Sequence, residues 1–227
     1  MLAVVAQGLQ GLKESVAFVG GAVIDLYISD LGAPQARPTV DVDCVVELAS
    51  RTRYHDIEAE LCRLGFKHAM GPESPICRWE YCGVLVDVMP PQERILGFAN
   101  RWYPDGLAHA ETAILPDGQQ IRIFSVAYLL ASKIEAFLHR GKGDYLASRD
   151  IEDIVALLDG CRELAERFQL APAEVRSYLI EQFKSFLAQE GFVESVPGHV
   201  RDLGHSQARA KCVLALLKEL SQGAKGL

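Results

Sequence analysis

Three aspartates set in apolar runs are the residues of this chain best suited to chemistry. Asp41 and Asp43 alternate with valine in Thr39-Val40-Asp41-Val42-Asp43-Cys44-Val45-Val46. In an extended strand, residues i and i+2 project from one face, about 6.6 Å apart, so the two carboxylates repel unless a cation lies between them. Two exposed aspartates on the polar face of an edge strand are the plainer alternative. Aspartate is depleted in strands, however, and Val40, Val42, Val45 and Val46 read as a buried sheet. Asp87 stands alone in Gly83-Val84-Leu85-Val86-Asp87-Val88-Met89, where an unpaired acid is costly to bury. A strand-end carboxylate bonded to a backbone amide would also account for it. If its strand neighbours that of Asp41, about 4.8 Å away, three carboxylates converge. Such a set suits two divalent ions about 3.5–4 Å apart and in-line phosphoryl chemistry.

Cations and a glycine pair accompany the acids. Gly20-Gly21 ends one apolar run and opens the next; glycine lets a backbone approach a phosphate, and the amides of a new helix point at the anion. A Gly-Gly pair alone is more often a simple turn. Stepping about 100° per residue along 125–138, Val126, Leu129, Leu130, Ile134 and Phe137 form an apolar stripe. Lys133 and Arg140 fall inside it, with Ser132, Glu135 and His139 facing the other way. Two cations on a core-facing side need anionic partners, unless their stems pack and their tips snorkel to water. Asp150 and Asp153 share a face at i, i+3, although acids near a helix N-terminus also favour the dipole without further role.

The elements that must position these residues follow from pattern. Val16 to Val19 reads as a strand, Ala22 to Ser29 as a helix, and Thr39 to Val46 as a β-branched strand. A helix from Ile57 to Leu64 follows. Ile76 to Cys82 and Val84 to Met89 read as a hairpin turning near Gly83 and stopped by Pro90-Pro91. Thr112 to Leu115 and Gln120 to Phe124 flank the turn Pro116-Asp117-Gly118. Ser125 is placed to cap a helix to about Leu138, and Ser148 one from Arg149 to Leu158. Beyond Gly160 the pattern is helical, near Ala173 to Leu187 and Ser206 to Leu220.

Composition narrows the class. The chain has 227 residues, 49% hydrophobic and 23% charged, ordinary values for a soluble globular protein. Its net charge of −7 and pI near 5.4 argue against coating nucleic acid through bulk positive charge, though not against a local basic patch. None of the six cysteines, Cys44, Cys62, Cys77, Cys82, Cys161 and Cys212, forms a C-x-x-C, which disfavours a zinc framework. The N-terminus lacks a secretory pattern, and the longest apolar run, Val16 to Ile24, is too short to span a bilayer. A cytoplasmic protein with reduced thiols and no membrane partner is expected.

In order, the chain carries Gly-Gly, T-x-D-V-D, an isolated strand aspartate, a lysine-bearing helix and a D-x-x-D helix. This series resembles the DNA polymerase β-type nucleotidyltransferase superfamily, and within it the AbiEii-like toxins of type IV toxin–antitoxin systems. The segments that carry the resemblance are Phe18-Val19-Gly20-Gly21-Ala22, Arg37-Pro38-Thr39-Val40-Asp41-Val42-Asp43, Val84-Leu85-Val86-Asp87-Val88, Lys133 to Arg140 and Arg149 to Ile154. The resemblance implies an α+β fold: a nucleotidyltransferase-like small mixed sheet with flanking helices over residues 1–160, then a helical C-terminal subdomain over 161–227.

It also implies roles. Gly20, Gly21 and Thr39 would hold a nucleoside triphosphate, and Asp41 and Asp43 would ligate Mg²⁺, as two ions. Asp87 would complete the metal site and help activate the nucleophile. Lys133 would contact phosphates with Arg140 in support, and Asp150 or Asp153 would orient it or act as a base. The loop Gly141-Lys142-Gly143-Asp144-Tyr145 allows the alignment to slip by a turn, which leaves Asp144 as a third candidate. The superfamily usually has serine after the first glycine; Gly21 stands there, so a hydroxyl contact to phosphate is lost. The implied reaction moves an NMP group from an NTP to an acceptor hydroxyl, first of all an RNA or tRNA 3′ end, in a toxin with a cognate antitoxin partner. An adenylyltransferase acting on a small molecule of the aminoglycoside type or on a protein is the alternative, and a non-catalytic nucleotide-binding regulatory protein a third.

Overall fold

The structure, a computed structural model, describes residues 1–47, 51–71, 74–97, 99–200 and 206–223. The chain forms two compact units: Met1–Val23 with Pro38–Ser125, and Ile24–Arg37 with Val126–Leu227. The boundaries expected at 160 and 161 therefore do not coincide with the compact units, because the helices that follow Ser125 pack with the C-terminal helices.

The first unit is built on a seven-stranded mixed sheet among the described residues. In chain order its elements are α1 (Leu2–Gly8), β1 (Val16–Val19), β2 (Asp41–Val46), α2 (Arg51–Arg63), β3 (Lys67–His68), β4 (Arg78–Tyr81), β5 (Val84–Met89), α3 (Glu93–Leu96), α4 (Tyr103–Ala108), β6 (Glu111–Ile114) and β7 (Gln120–Ile123). The strand order is β3-β4-β5-β2-β1-β7-β6. β2 lies at the centre, antiparallel to β1 and parallel to β5. β1 and most of β2 and β5 are buried, which explains their apolar residues. The β4–β5 hairpin turns at Cys82 and Gly83, both with positive φ, the requirement of the tight turn that matches strand twist. Trp79 is fully buried on β4, against the His68 ring.

The second unit is helical: α5 (Val126–Arg140), α6 (Arg149–Gly160), α7 (Leu164–Leu170), α8 (Ala173–Leu187), α9 (Glu190–His199) and α10 (Ser206–Ser221). Ser148 caps α6, its hydroxyl accepting from the Ile151 amide. Tyr145, Phe137, Phe186 and Phe192 form one aromatic cluster in its core. Segment 24–37 is tied to this unit by the Ser29 and Asp30 amides, which donate to the Gly160 carbonyl, and by Arg209, which bridges Asp30 and Asp159. The helix expected over Ala22 to Ser29 is instead a short 3-10 helix, Gly21–Leu26; β-branched Val23 and Ile24 favour the α form weakly. Among the described residues, no helix is long and apolar enough to cross a membrane.

Candidate active site

In the first unit, register brings the three aspartates together. The parallel β2–β5 ladder pairs Asp43 with Asp87 and Asp41 with Leu85. Side chains two apart in a strand share a face, so Asp41, Asp43 and Asp87 line one side of the sheet. Asp87 is buried at 8% exposure, and Asp41 and Asp43 are half-buried. Thr39, just before β2, donates its hydroxyl to Asp41 Oδ1 at 3.1 Å.

Gly20 fixes how closely Asp43 can approach. It pairs with the site through its neighbour Val19, which faces Asp43 across the β1–β2 ladder. Its φ is +76°, and a β-carbon placed on it would fall on the Asp43 carboxylate. Only glycine satisfies both conditions. Gly21 is buried and opens the 3-10 helix.

The residue that sequence reasoning missed is Arg78. The β4–β5 ladder sets it opposite Asp87. Its Nε donates to Asp87 Oδ1 at 2.8 Å and its Nη2 to Asp87 Oδ2 at 2.7 Å, a two-pronged pairing. The same Nη2 also donates to Asp41 Oδ2 at 3.2 Å. Hydrogen bonding to Asp87 first, and then the nearby acid charges, hold the guanidinium pKa above its ordinary value against the opposing effect of burial. The acids are felt beyond it: burial, with Asp43 and Asp87 adding, pushes the Cys44 thiol well up. Burial likewise pushes Cys77 up to about 12. Among the described residues, no three His, Cys, Asp or Glu side chains converge as a ready cation cage; Asp41 and Asp87 turn to Arg78. Counting outward from the two-residue turn at 82–83 would have placed Arg78 beside Asp87.

The remaining candidates lie in the second unit, where Lys133, Asp150 and Asp153 form a buried ionic network with Arg140 at its exposed edge. Lys133, 6% exposed, donates its Nζ to Asp153 Oδ2 at 2.5 Å and lies 3.7 Å from Asp150 Oδ1. Arg37 grips the other side of Asp153, Nε to Oδ1 at 3.0 Å and Nη2 to Oδ2 at 3.2 Å. Arg140 forks onto Asp150 with two bonds of 2.9 Å. Asp153 is 1% exposed, so these cations neutralise a charge that water does not reach. The i, i+3 spacing of Asp150 and Asp153 is thus used for paired cations as well as for the helix N-terminus. Asp144 is different: it is exposed and accepts from the Leu146 and Ala147 amides of its own loop.

The stripe expected along α5 is corrected in two places. Ser132 and Glu135, expected to face away from the core, are buried, and Arg140, expected inside it, has a side chain 71% exposed. Val126 to Glu135 are all buried, so no single stripe defines the buried surface of α5. Lys133 does not snorkel; its tip ends on buried acids.

No curated protein matches the chain. Among solved structures, the solution structure of the antibiotic-resistance factor ANT(2'')-Ia is similar at a TM-score of 0.49 and 16% identity, covering 82% of this chain and 94% of that one. The family described as nucleotidyl transferase AbiEii toxin, type IV TA system, matches residues 4–210. That match takes in the glycine pair, the three strand aspartates and the Lys133 network alike, and the chain belongs to the AbiEii family of nucleotidyl transferases.

Proposed function

We propose that this nucleotidyltransferase uses Mg²⁺ to move an NMP group from a nucleoside triphosphate to a hydroxyl at an RNA 3′ end, tRNA foremost, as the toxin of a toxin–antitoxin pair. The observation that carries the reading is the pairing of Asp43 with Asp87 in the β2–β5 register, with Asp41 on the same face. Three hard carboxylates are the donor type that Mg²⁺ prefers. Bound there, the metal would polarise the phosphoryl oxygens and neutralise charge on the leaving pyrophosphate.

The chain's own residues do the rest. Asp87 accepts the proton of the attacking hydroxyl, whose oxygen bonds to the α-phosphorus as the bond to the β-phosphate oxygen breaks and pyrophosphate leaves. The backbone at Gly20 and Gly21 receives the triphosphate, with Thr39 holding Asp41 in line. Within the second unit, Asp153 and Asp150 hold the charged ends of Lys133 and Arg140, a structural role for that network.

The net charge of −7 favours a second reading, in which the acceptor is a small molecule of the aminoglycoside type or a protein rather than a polyanion. Incubation with each labelled triphosphate, Mg²⁺, total RNA and cell extract separates these. Label in RNA that disappears with Asp43→Asn supports the first reading; label in small molecules or protein supports the second. A lack of transfer to anything removes both and leaves a nucleotide-binding protein. The toxin assignment further expects a neutralising antitoxin partner, tested by co-expression with the adjacent reading frame.

A further inference from the structure

We propose that Arg78 is a resident counter-cation of the carboxylate site, which a divalent ion must displace in order to bind. The inference rests on the metal reading above and adds a positioning residue to it. Its basis is that two of the three acids already have hydrogen-bond donors on both oxygens. Asp87 Oδ1 and Oδ2 accept from Arg78 Nε and Nη2, Asp41 Oδ2 accepts from the same Nη2, and Asp41 Oδ1 accepts from Thr39. All four oxygens of Asp41 and Asp87 therefore have a donor before any ion arrives.

Nη2 donates to both Asp41 Oδ2 and Asp87 Oδ2, so the guanidinium already occupies the gap between these two acids, which would help to hold a divalent ion. A guanidinium and a divalent cation on the same oxygens repel strongly, and arginine cannot relieve this by losing its proton. The arginine must turn away instead. Arg78 has room to do so, since its side chain is 25% exposed, and it sits on β4 directly opposite Asp87, so only the side chain has to move. The expected consequence is weak binding of free metal. Anionic triphosphate arriving with the metal gives the displaced guanidinium a new partner of the kind its planar fork suits.

The test is Mn²⁺ binding to the whole protein without nucleotide, followed by calorimetry and by the electron paramagnetic resonance of free Mn²⁺. Arg78→Gln is expected to bind Mn²⁺ about tenfold more tightly than the wild type, and Arg78→Lys, which keeps the charge but not the fork, to fall between them. Asp43→Asn should lose binding in either background. Thermal unfolding gives an independent readout: Arg78→Gln should melt lower than wild type in chelator and recover with Mn²⁺, while wild type changes little. Equal Mn²⁺ affinity in wild type and Arg78→Gln, with Asp43→Asn defective, overturns the displacement while leaving the metal reading intact. Absence of Mn²⁺ binding in wild type and Arg78→Gln alike overturns both. Should Arg78→Gln fail to fold, Arg78→Met, which preserves most of the stem, carries the same comparison.

Discussion

The carboxylate of Asp43 lies where a β-carbon on Gly20 would have to be. The glycine is therefore part of the acid's binding pocket as much as of the turn. Gly20→Ala adds both that collision and a left-handed alanine, and should cost about 1–3 kcal/mol of stability by urea denaturation. Displacing Asp43 by even an ångström should lower nucleotidyl transfer roughly 100-fold. An alanine variant with wild-type turnover would show that Asp43 needs no such approach.

Asp43 and Asp87 are expected to separate in stability while agreeing in activity. Asp43→Asn and Asp87→Asn should each abolish transfer. Asp87→Asn also replaces the acid that accepts both prongs of Arg78, leaving that charge without its main partner, and should lower unfolding free energy by about 1–3 kcal/mol. Denaturant midpoints for the two variants measured side by side check this; a larger loss in Asp43→Asn would reverse the assignment of the structural acid.

Lys133 should prove structural. Lys133→Met keeps the stem but leaves Asp153, almost wholly buried, with Arg37 as its cationic support on one side. Breaking a buried pair from one end costs about 3–5 kcal/mol. Adding Asp153→Asn to Lys133→Met should recover part of that, with a coupling energy of about 1–3 kcal/mol in a double-mutant cycle. Strict additivity would mean that the two groups do not depend on one another.

Asp30 gives the second unit an acid-sensitive anchor. The Gly32 amide first, then Arg209 and Arg162, hold its carboxyl down from 3.8 to about 2. A carboxyl depressed on folding stabilises above its unfolded value, and that contribution fades as pH falls from about 4 toward 2. Asp30→Asn should therefore be less stable than wild type at neutral pH, and the difference should shrink across that window in urea titrations. A gap that stays constant from pH 7 to pH 2 would detach the ion pairs from stability.

The sheet's central strands were legible because valine alternating with aspartate has few other homes. Their register was not. β2 and β5 are parallel, with α2 and two further strands between them in sequence, so no turn exists from which to count that Asp43 meets Asp87. Arg78 was legible in principle, since its hairpin is tight, but nothing in a strand pattern says that its fork also reaches Asp41. Along α5 the helical period identified Lys133 as misplaced for an apolar face, yet misjudged Ser132, Glu135 and Arg140, because periodicity assumes one wet side. The network around Asp153 joins residues more than a hundred positions apart through Arg37, a separation that no local rule of spacing addresses. Short α3 and α4 escaped notice for a simpler reason: elements of four and six residues hold too little pattern to read.

The second unit borrows fourteen residues from before the T-x-D-V-D strand, Ile24–Arg37. Dissecting the protein for separate expression therefore cannot be done with a single cut. A fragment starting at Val126 would leave behind Arg37, which grips Asp153, and Asp30, which Arg209 holds. Such a fragment would leave Asp153 with Lys133 alone of its two cations, and Arg209 with Asp159 alone of its two acids. Supplying the missing stretch as a synthetic peptide, or relocating it by circular permutation, is what an isolated helical piece requires.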